Sequence, residues 1–392
     1  MSIAERIIQR GPTFGSLRRT PGDPRRNIDW VMMAAVVGII AIALPIVYST
    51  TYKFLPSRQR PLDPFLYTQR QVIFVIVGGL AMALVMALEY QWWKERARFL
   101  YGATIFGLLL VLGLGRTTGG ATSAFDVGPI SVQPSEFGKF ATMMFLAAYL
   151  SEDRTENVSY SKFLGGLMLV GAPMILTVVE PDLGSASVYV ALAMGVLLVA
   201  GARVRHIVMI TVLSASTVFI AVITGVVKKY QVSRLVGFLN QNSDDKKLQD
   251  LIQQVKQAKR AFGNGGLFGK GWLDGPLTNN RSIPVQWADF PVTALAEQFG
   301  MLGVAVLLSL YGVVLARIWR TAHLSKDMLG TYICAGVFSM LLWHLFENVG
   351  MSLGIMPVTG IPLPLVSYGG SSLVSFLMML GMVQNVHMRR FR

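Results

Sequence analysis

Charge is scarce in this sequence. Only 14% of its 392 residues are Asp, Glu, Lys or Arg, against about 25% in soluble domains. Acidic residues are the scarcer sign, 21 against 35 basic ones. Cysteine occurs once, at Cys334 within an apolar run, which excludes an internal disulfide framework and a cysteine metal cluster. His206, His323, His344 and His387 are scattered, and no H-E-x-x-H pairs any two of them, so no zinc site is indicated. G-x-S-x-G and the Walker spacing G-x-x-x-x-G-K-[ST] are also absent. That removes nucleophile-elbow hydrolases and P-loop nucleotidases. The net charge of +14 comes with no nucleic-acid motif, so it reads as charge facing water and anionic lipid.

What the chain has in abundance is apolar sequence, 53% of all residues. Apolar runs lie near residues 31–50, 70–88, 100–118, 134–150, 163–179, 185–202, 207–227, 291–316, 329–350 and 367–387. Each approaches the roughly 20 residues that a helix needs to cross hydrocarbon. The expected fold is therefore an all-α polytopic membrane protein with about ten transmembrane helices. Residues 1–28 hold Arg6, Arg10, Arg18, Arg19, Arg25 and Arg26 and no apolar core, so they read as a basic cytoplasmic tail rather than a cleaved signal. Residues 29–392 form the membrane domain.

Orientation follows the basic residues. Placing the tail inside also places the short loops at 89–99, 151–162, 203–206, 317–328 and 388–392 inside, and this set holds nineteen of the 35 basic residues. Both termini are then cytoplasmic. The long 228–290 segment, between helices 7 and 8, is extracytoplasmic, as is the proline-rich stretch from Met356 to Ser372. Within the long segment, Leu248, Leu251, Ile252 and Val255 share one side of a 3.6-residue period, predicting an amphipathic helix at the membrane interface. Gly263–Gly271 (G-N-G-G-L-F-G-K-G) then reads either as a plain loop or as a backbone nest for diphosphate.

Ionisable residues gather toward this outer side. Glu136 and Lys139 stand three apart on one helix face, as a buried ion pair or as substrate ligands. Glu180 and Asp182 mark a span junction, where Asp182 is also a candidate helix cap. Asp289 lies just ahead of span eight, with Glu297 two turns further in, and Asn348 ends span nine beside Glu347. Such charges near hydrocarbon are costly and face a partner or a polar cavity. Pro357, Pro362 and Pro364 forbid a helix in M-P-V-T-G-I-P-L-P-L-V-S-Y-G-G-S-S. That irregular backbone is either a re-entrant turn or a cavity wall, with Ser367 and Ser371 on it. Arg234 and Lys270 are the candidate outer cations.

These strings together resemble the SEDS family (shape, elongation, division and sporulation proteins). V-Q-P-S-E-F-G-K at 132–139, E-P-D-L-G-S at 180–185, the glycine run at 263–271, D-F-P-V-T-A-L-A-E-Q-F-G at 289–300 and the proline stretch at 357–372 occur in family order. A-E-Q-F-G and N-I-D-W at 27–30 point to the rod-shape branch. The resemblance implies a peptidoglycan glycosyltransferase of the bacterial plasma membrane that polymerises lipid II during cell elongation. It implies Asp289 as general base toward the acceptor 4-hydroxyl, Glu136 and Lys139 as a family pair, and Asp182 as the junction aspartate. It also implies a class B penicillin-binding protein and other elongation-complex membrane proteins as partners. The family's usual P-E-x-H-T-D-F-I-F reads P-V-Q-W-A-D-F-P-V here, so the acidic, histidine and threonine neighbours of Asp289 are replaced.

No organic cofactor is expected. A divalent cation, Mg or Mn, is an alternative to Lys139 or Arg234 for neutralising the diphosphate. Two other functions fit the same features: a transporter of the lipid-linked precursor, which broken spans and intramembrane charge would suit, and a non-catalytic scaffold for the transpeptidase.

Overall fold

The computed structural model describes residues 24–53, 65–118, 121–127, 130–152, 158–225, 229–240 and 246–391. Most of the expected basic tail, and Lys228, lie outside the described residues. In chain order, α1 (Trp30–Thr51), α2 (Leu66–Ala87) and α3 (Tyr90–Leu114) precede three strands, β1 (Arg116–Thr118), β2 (Ala121–Val127) and β3 (Ile130–Val132). Then come α4 (Pro134–Leu150), α5 (Tyr160–Val179), α6 (Leu183–Val199) and α7 (Val204–Ile223). The outer segment holds α8 (Lys229–Leu239), α9 (Lys246–Gly265) and two single turns, α10 (Pro276–Asn279) and α11 (Gln286–Asp289). The chain closes with α12 (Pro291–His323), α13 (Met328–Leu353) and α14 (Gly370–Met388).

Ten of these helices coincide with the ten apolar runs. Their starts are set locally: the side chains of Asp29, Ser159, Asp182 and Asp327 accept the free N–H groups of α1, α5, α6 and α13. Pro134 and Pro291 open α4 and α12, where a missing donor costs nothing. Among the described residues, seven helices are long and apolar enough to span a bilayer, and α6 is a shorter apolar helix. α4 has only 17 residues but buries thirteen of them, so its coat is other helices rather than lipid. α14 packs on α2, α4 on α3, α13 on α6, and α12 on α1 and α13. Outside the packed core, Leu80, Phe106, Phe219, Val306 and Phe346 are among many exposed large apolar side chains. A belt of that kind needs hydrocarbon around it.

Two expectations change. The third span stops at Leu114, not residue 118, and the chain turns into a small antiparallel meander in which β1 pairs β2 and β2 pairs β3. Gly115 breaks the helix, and the β-branched Thr117 and Thr118 that follow favour strand. α9 is amphipathic, but the described part of its apolar stripe is covered by protein. Its Ile252, Val255, Ala258 and Ala261 are buried, and the last three pack with Phe290, Met351 and Val358 in a satellite core. Protein offers this stripe a closer fit than headgroups do.

One face of the bundle gathers both described ends. Arg317 Nε bonds Asp29 at 2.7 Å, Arg390 donates to the Asn27 carbonyl at 3.4 Å, and Tyr90 and Gln91 both donate to Asp327 at 2.9 Å. The proline-rich stretch, the outer segment and the meander lie at the other ends of these same helices.

Candidate active site

The proline-rich stretch is held by side chains from all around it, because its backbone lacks helical partners. Tyr311 donates to the Pro364 carbonyl and Gln71 to that of Ser367. Ser367 Oγ accepts from Leu363 N at 2.8 Å, closing a turn. Tyr368 N donates to the Trp287 carbonyl at 2.9 Å, tying the stretch to α11. Asn348 uses both amide protons, one to the Ile361 carbonyl at 2.9 Å and one to the Asp289 carbonyl at 3.0 Å. Asp289 and the stretch are therefore fixed to each other through one side chain of α13.

Between them sits Gly360. A Cβ there would stand 3.6 Å from an Arg234 guanidinium nitrogen and 3.9 Å from both Asp289 carboxylate oxygens. The missing side chain thus leaves a notch bordered by one base and one cation. Its φ of +79° is also in the left-handed region that glycine tolerates. Burial pushes the Asp289 carboxyl up to about 6, while Arg234 draws it the other way. A carboxylate tuned there is ionised at neutral pH and still basic enough to take a proton from a hydroxyl.

A second group of acids lines the same end of α4, α6 and α13. Asp182 caps α6 through Ser185 N at 2.9 Å and accepts from Gln133 Nε2 at 3.1 Å. Glu347 accepts from Thr359 at 2.7 Å and Ser187 at 3.1 Å, and Ser187 in turn accepts from the Trp343 indole at 2.8 Å. Glu180 is wholly buried, and neither of its oxygens has a hydrogen-bond partner. Burial and then Asp182 push its carboxyl up to about 8. Gln231 of α8 donates to the adjoining Pro181 carbonyl, so α8 touches this junction one turn before it presents Arg234 to Asp289.

Glu136 and Lys139 form an ion pair at 2.7 Å with both side chains buried. Ser375 donates to the Glu136 carbonyl and Tyr189 to that of Ser135, anchoring the first turn of α4. Lys139 is thereby directed at Glu136. Glu297 does not line a cavity: its carboxylate accepts from Leu277 N, Thr278 N and Thr278 Oγ1 at 2.7–2.9 Å. Ser371 accepts from Gln133 N and donates to the Ser131 carbonyl, fastening β3 to α14. Lys270 is exposed on the glycine run.

The glycine run has a different task from an anion nest. α12 is broken at Gly300, with φ 68° and ψ −168°. Lys270 N and Gly271 N donate to the Glu297 and Gln298 carbonyls, while Met301 N and Leu302 N donate to those of Gly266 and Leu267. The run therefore clasps the break from both sides, and its N–H groups at 269–271 are all engaged. Among the described residues, no group of His, Cys, Asp and Glu converges to hold a metal ion. The residues do not supply a cage for the divalent cation.

Sequence reasoning missed Gln133, Ser187, Thr278, Gln286 and Thr359, all neutral groups that orient the acids. Gln133, Gln286 and Thr359 did sit within quoted strings, at 132–139, 284–292 and 357–372, but only as neutral neighbours of the charged or proline positions.

Residues 30–391 match the FtsW/RodA/SpoVE family, described as cell cycle protein. Stage V sporulation protein E of Bacillus subtilis is 33% identical over 91% of this chain and 96% of its own. Peptidoglycan glycosyltransferase MrdB of Escherichia coli is 30% identical over 93% of this chain and 94% of its own. The rod shape determining protein RodA of Thermus thermophilus superposes with a TM-score of 0.68, at 28% identity over 93% of this chain and 98% of that one. A chain from a peptidoglycan synthase complex, in which polymerization and crosslinking are coordinated, superposes with a TM-score of 0.75 at 28% identity, over 93% and 99%. This helical bundle with its proline-rich stretch, matched along nearly its whole length, belongs to the FtsW/RodA/SpoVE family.

Proposed function

We propose that this chain is a peptidoglycan glycosyltransferase that polymerises lipid II at the outer face of the plasma membrane, with Asp289 as general base. The observation that carries it is the notch at Gly360, where a partly exposed carboxylate and a guanidinium meet over irregular backbone. Asp289 takes the proton of the acceptor 4-hydroxyl as its oxygen attacks the anomeric carbon of the donor. The undecaprenyl diphosphate leaves from the opposite side, with inversion. Arg234 is the cation placed to meet the leaving phosphates, since Lys139 is buried against Glu136. A divalent ion, where one takes part, arrives on the diphosphate rather than in a protein cage. The curated relatives named as peptidoglycan glycosyltransferases support the reaction class. The synthase-complex relative supports a class B penicillin-binding protein as partner.

The test is purified protein incubated with labelled lipid II, alone and with its transpeptidase. Long glycan on a gel, lowered roughly 10²-fold or more by Asp289→Asn, is the expected result. Polymer made by the Asn variant at the wild-type rate overturns the base assignment. Lipid movement without polymer identifies a transporter instead, and neither activity leaves a scaffold.

A further inference from the structure

Asp289 closes a helix of four residues, Gln286–Asp289. One turn cannot hold itself in place, and its flanks are not helical. Val285 has φ 50° and ψ 35°, and Phe290 has φ −127° and ψ 42°. Position must therefore come from contacts with other elements, of which the Tyr368 N bond to the Trp287 carbonyl is one. The Gln286 side chain is buried, and its Nε2 donates to Thr293 Oγ1 at 3.0 Å and to Thr278 Oγ1 at 3.3 Å. Thr293 lies in the first turn of α12 and Thr278 in α10, so this amide pins α11 between its two neighbours.

The proton inventory makes the choice of residue strict. Each threonine hydroxyl has one proton. Thr293 gives its proton to the Phe290 carbonyl at 2.6 Å, and Thr278 gives its own to Glu297 Oε2 at 2.7 Å. Both oxygens are left as acceptors and face one side chain. Only a group with two protons on one atom, at the length of glutamine, serves both. A carboxylate of the same shape presents lone pairs to lone pairs, with Glu297 directly behind Thr278. Burial of all four side chains denies water as a substitute donor.

We infer that Gln286 is a positioning residue for Asp289, setting the base against the Gly360 notch through a directional chain from Gln286 to Thr278 to Glu297. Gln286 occupies the unspecified place of the family's P-E-x-H-T-D, and in this chain the histidine and threonine of that string are Trp287 and Ala288. The neutral amide then does from beneath what polar neighbours no longer do from beside. The inference rests on the glycosyltransferase reading, and the test keeps the two apart.

Steady-state polymerisation of lipid II by the full chain with its transpeptidase partner is measured for wild type, Gln286→Glu, Gln286→Leu and Asp289→Asn. Misplacing the base should lower kcat by roughly tenfold or more in both single Gln286 variants, with KM within about twofold, because the lipid is held elsewhere. Gln286→Leu, which introduces no charge, covers the case in which Gln286→Glu fails to fold. A folded Gln286→Leu with wild-type kcat, or a loss confined to KM, overturns the inference. An Asp289→Asn enzyme that keeps full rate overturns the reading beneath it instead.

Discussion

At Asp289 the local balance is between burial, which favours the neutral acid, and Arg234, which favours the anion. The rate should rise as pH climbs through about 6 and level off above it, since the ionised form is the proposed base. Arg234→Met removes the opposing charge and should move that midpoint to higher pH, which a pH series of polymer yield reads directly. The sign for stability follows from the same shift. A carboxyl raised above its unfolded value favours folding while protonated, and loses that advantage as pH rises from about 4 through about 6. At pH 7 Asp289→Asn should therefore melt no lower than wild type, and a lower melting temperature would make Asp289 structural. The Glu136–Lys139 pair behaves oppositely. Breaking it by Glu136→Gln or Lys139→Met alone leaves one buried charge and should cost roughly 3–5 kcal/mol, with the double variant milder. Thermal unfolding and lipid II binding across the four proteins decide the matter. Binding that stays lost in the double variant would assign Lys139 to substrate after all.

Among the elements, α12 and the glycine run have to be read as one unit. Ideal Cβ atoms on Gly265 and Gly269 would lie 1.9 and 2.1 Å from the Ala296 and Gln298 carbonyl oxygens, and one on Gly300 would lie 2.4 Å from Gly269 N. Gly263 has nothing within 4 Å. Gly269→Ala should therefore cost about 3 kcal/mol or more, through a backbone clash, its φ of +83° and the partners lost at the break. Gly263→Ala should stay within about 0.5 kcal/mol. Equal melting temperatures for the two variants would remove the clasp. The glycines were visible in the sequence and their task was not, because a clasp is defined by what it clasps, some 30 residues downstream. The ten helices were legible for the opposite reason: apolar length is a local property, and a cap such as Asp182 lies next to what it caps. α9 falls between the two cases. Its stripe was legible, but the surface covering it is assembled from Phe290, Met351 and Val358, which no period in residues 246–265 reveals. The same limit hid Gln286 and Thr278, neutral residues whose meaning comes from partners in other elements.

For the whole molecule, the decisive property is which face meets which side of the membrane. The structure joins Asn27, Asp29, Tyr90, Arg317, Asp327 and Arg390 at one end of the bundle, so any orientation must treat these positions alike. Asp289, Arg234 and the proline-rich stretch stand together at the other. The basic excess at the first end predicts the cytoplasm for it, and the proposed function needs the notch on the opposite side. Exposed Asn280 and exposed Lys326 report on the two ends without touching either network around Asp289. Asn280→Cys should react with a membrane-impermeant maleimide in intact spheroplasts, and Lys326→Cys only after lysis. Cys334, fully buried in α13, should stay silent in both and sets the background. The reverse pattern would turn the bundle over as a unit, because the ion pair of Arg317 with Asp29 and the bond from Arg390 to Asn27 leave no way to invert one end alone. Asp289 would then face the cytoplasm, where undecaprenyl-linked precursor is not polymerised, and the transporter reading would gain what the glycosyltransferase reading lost.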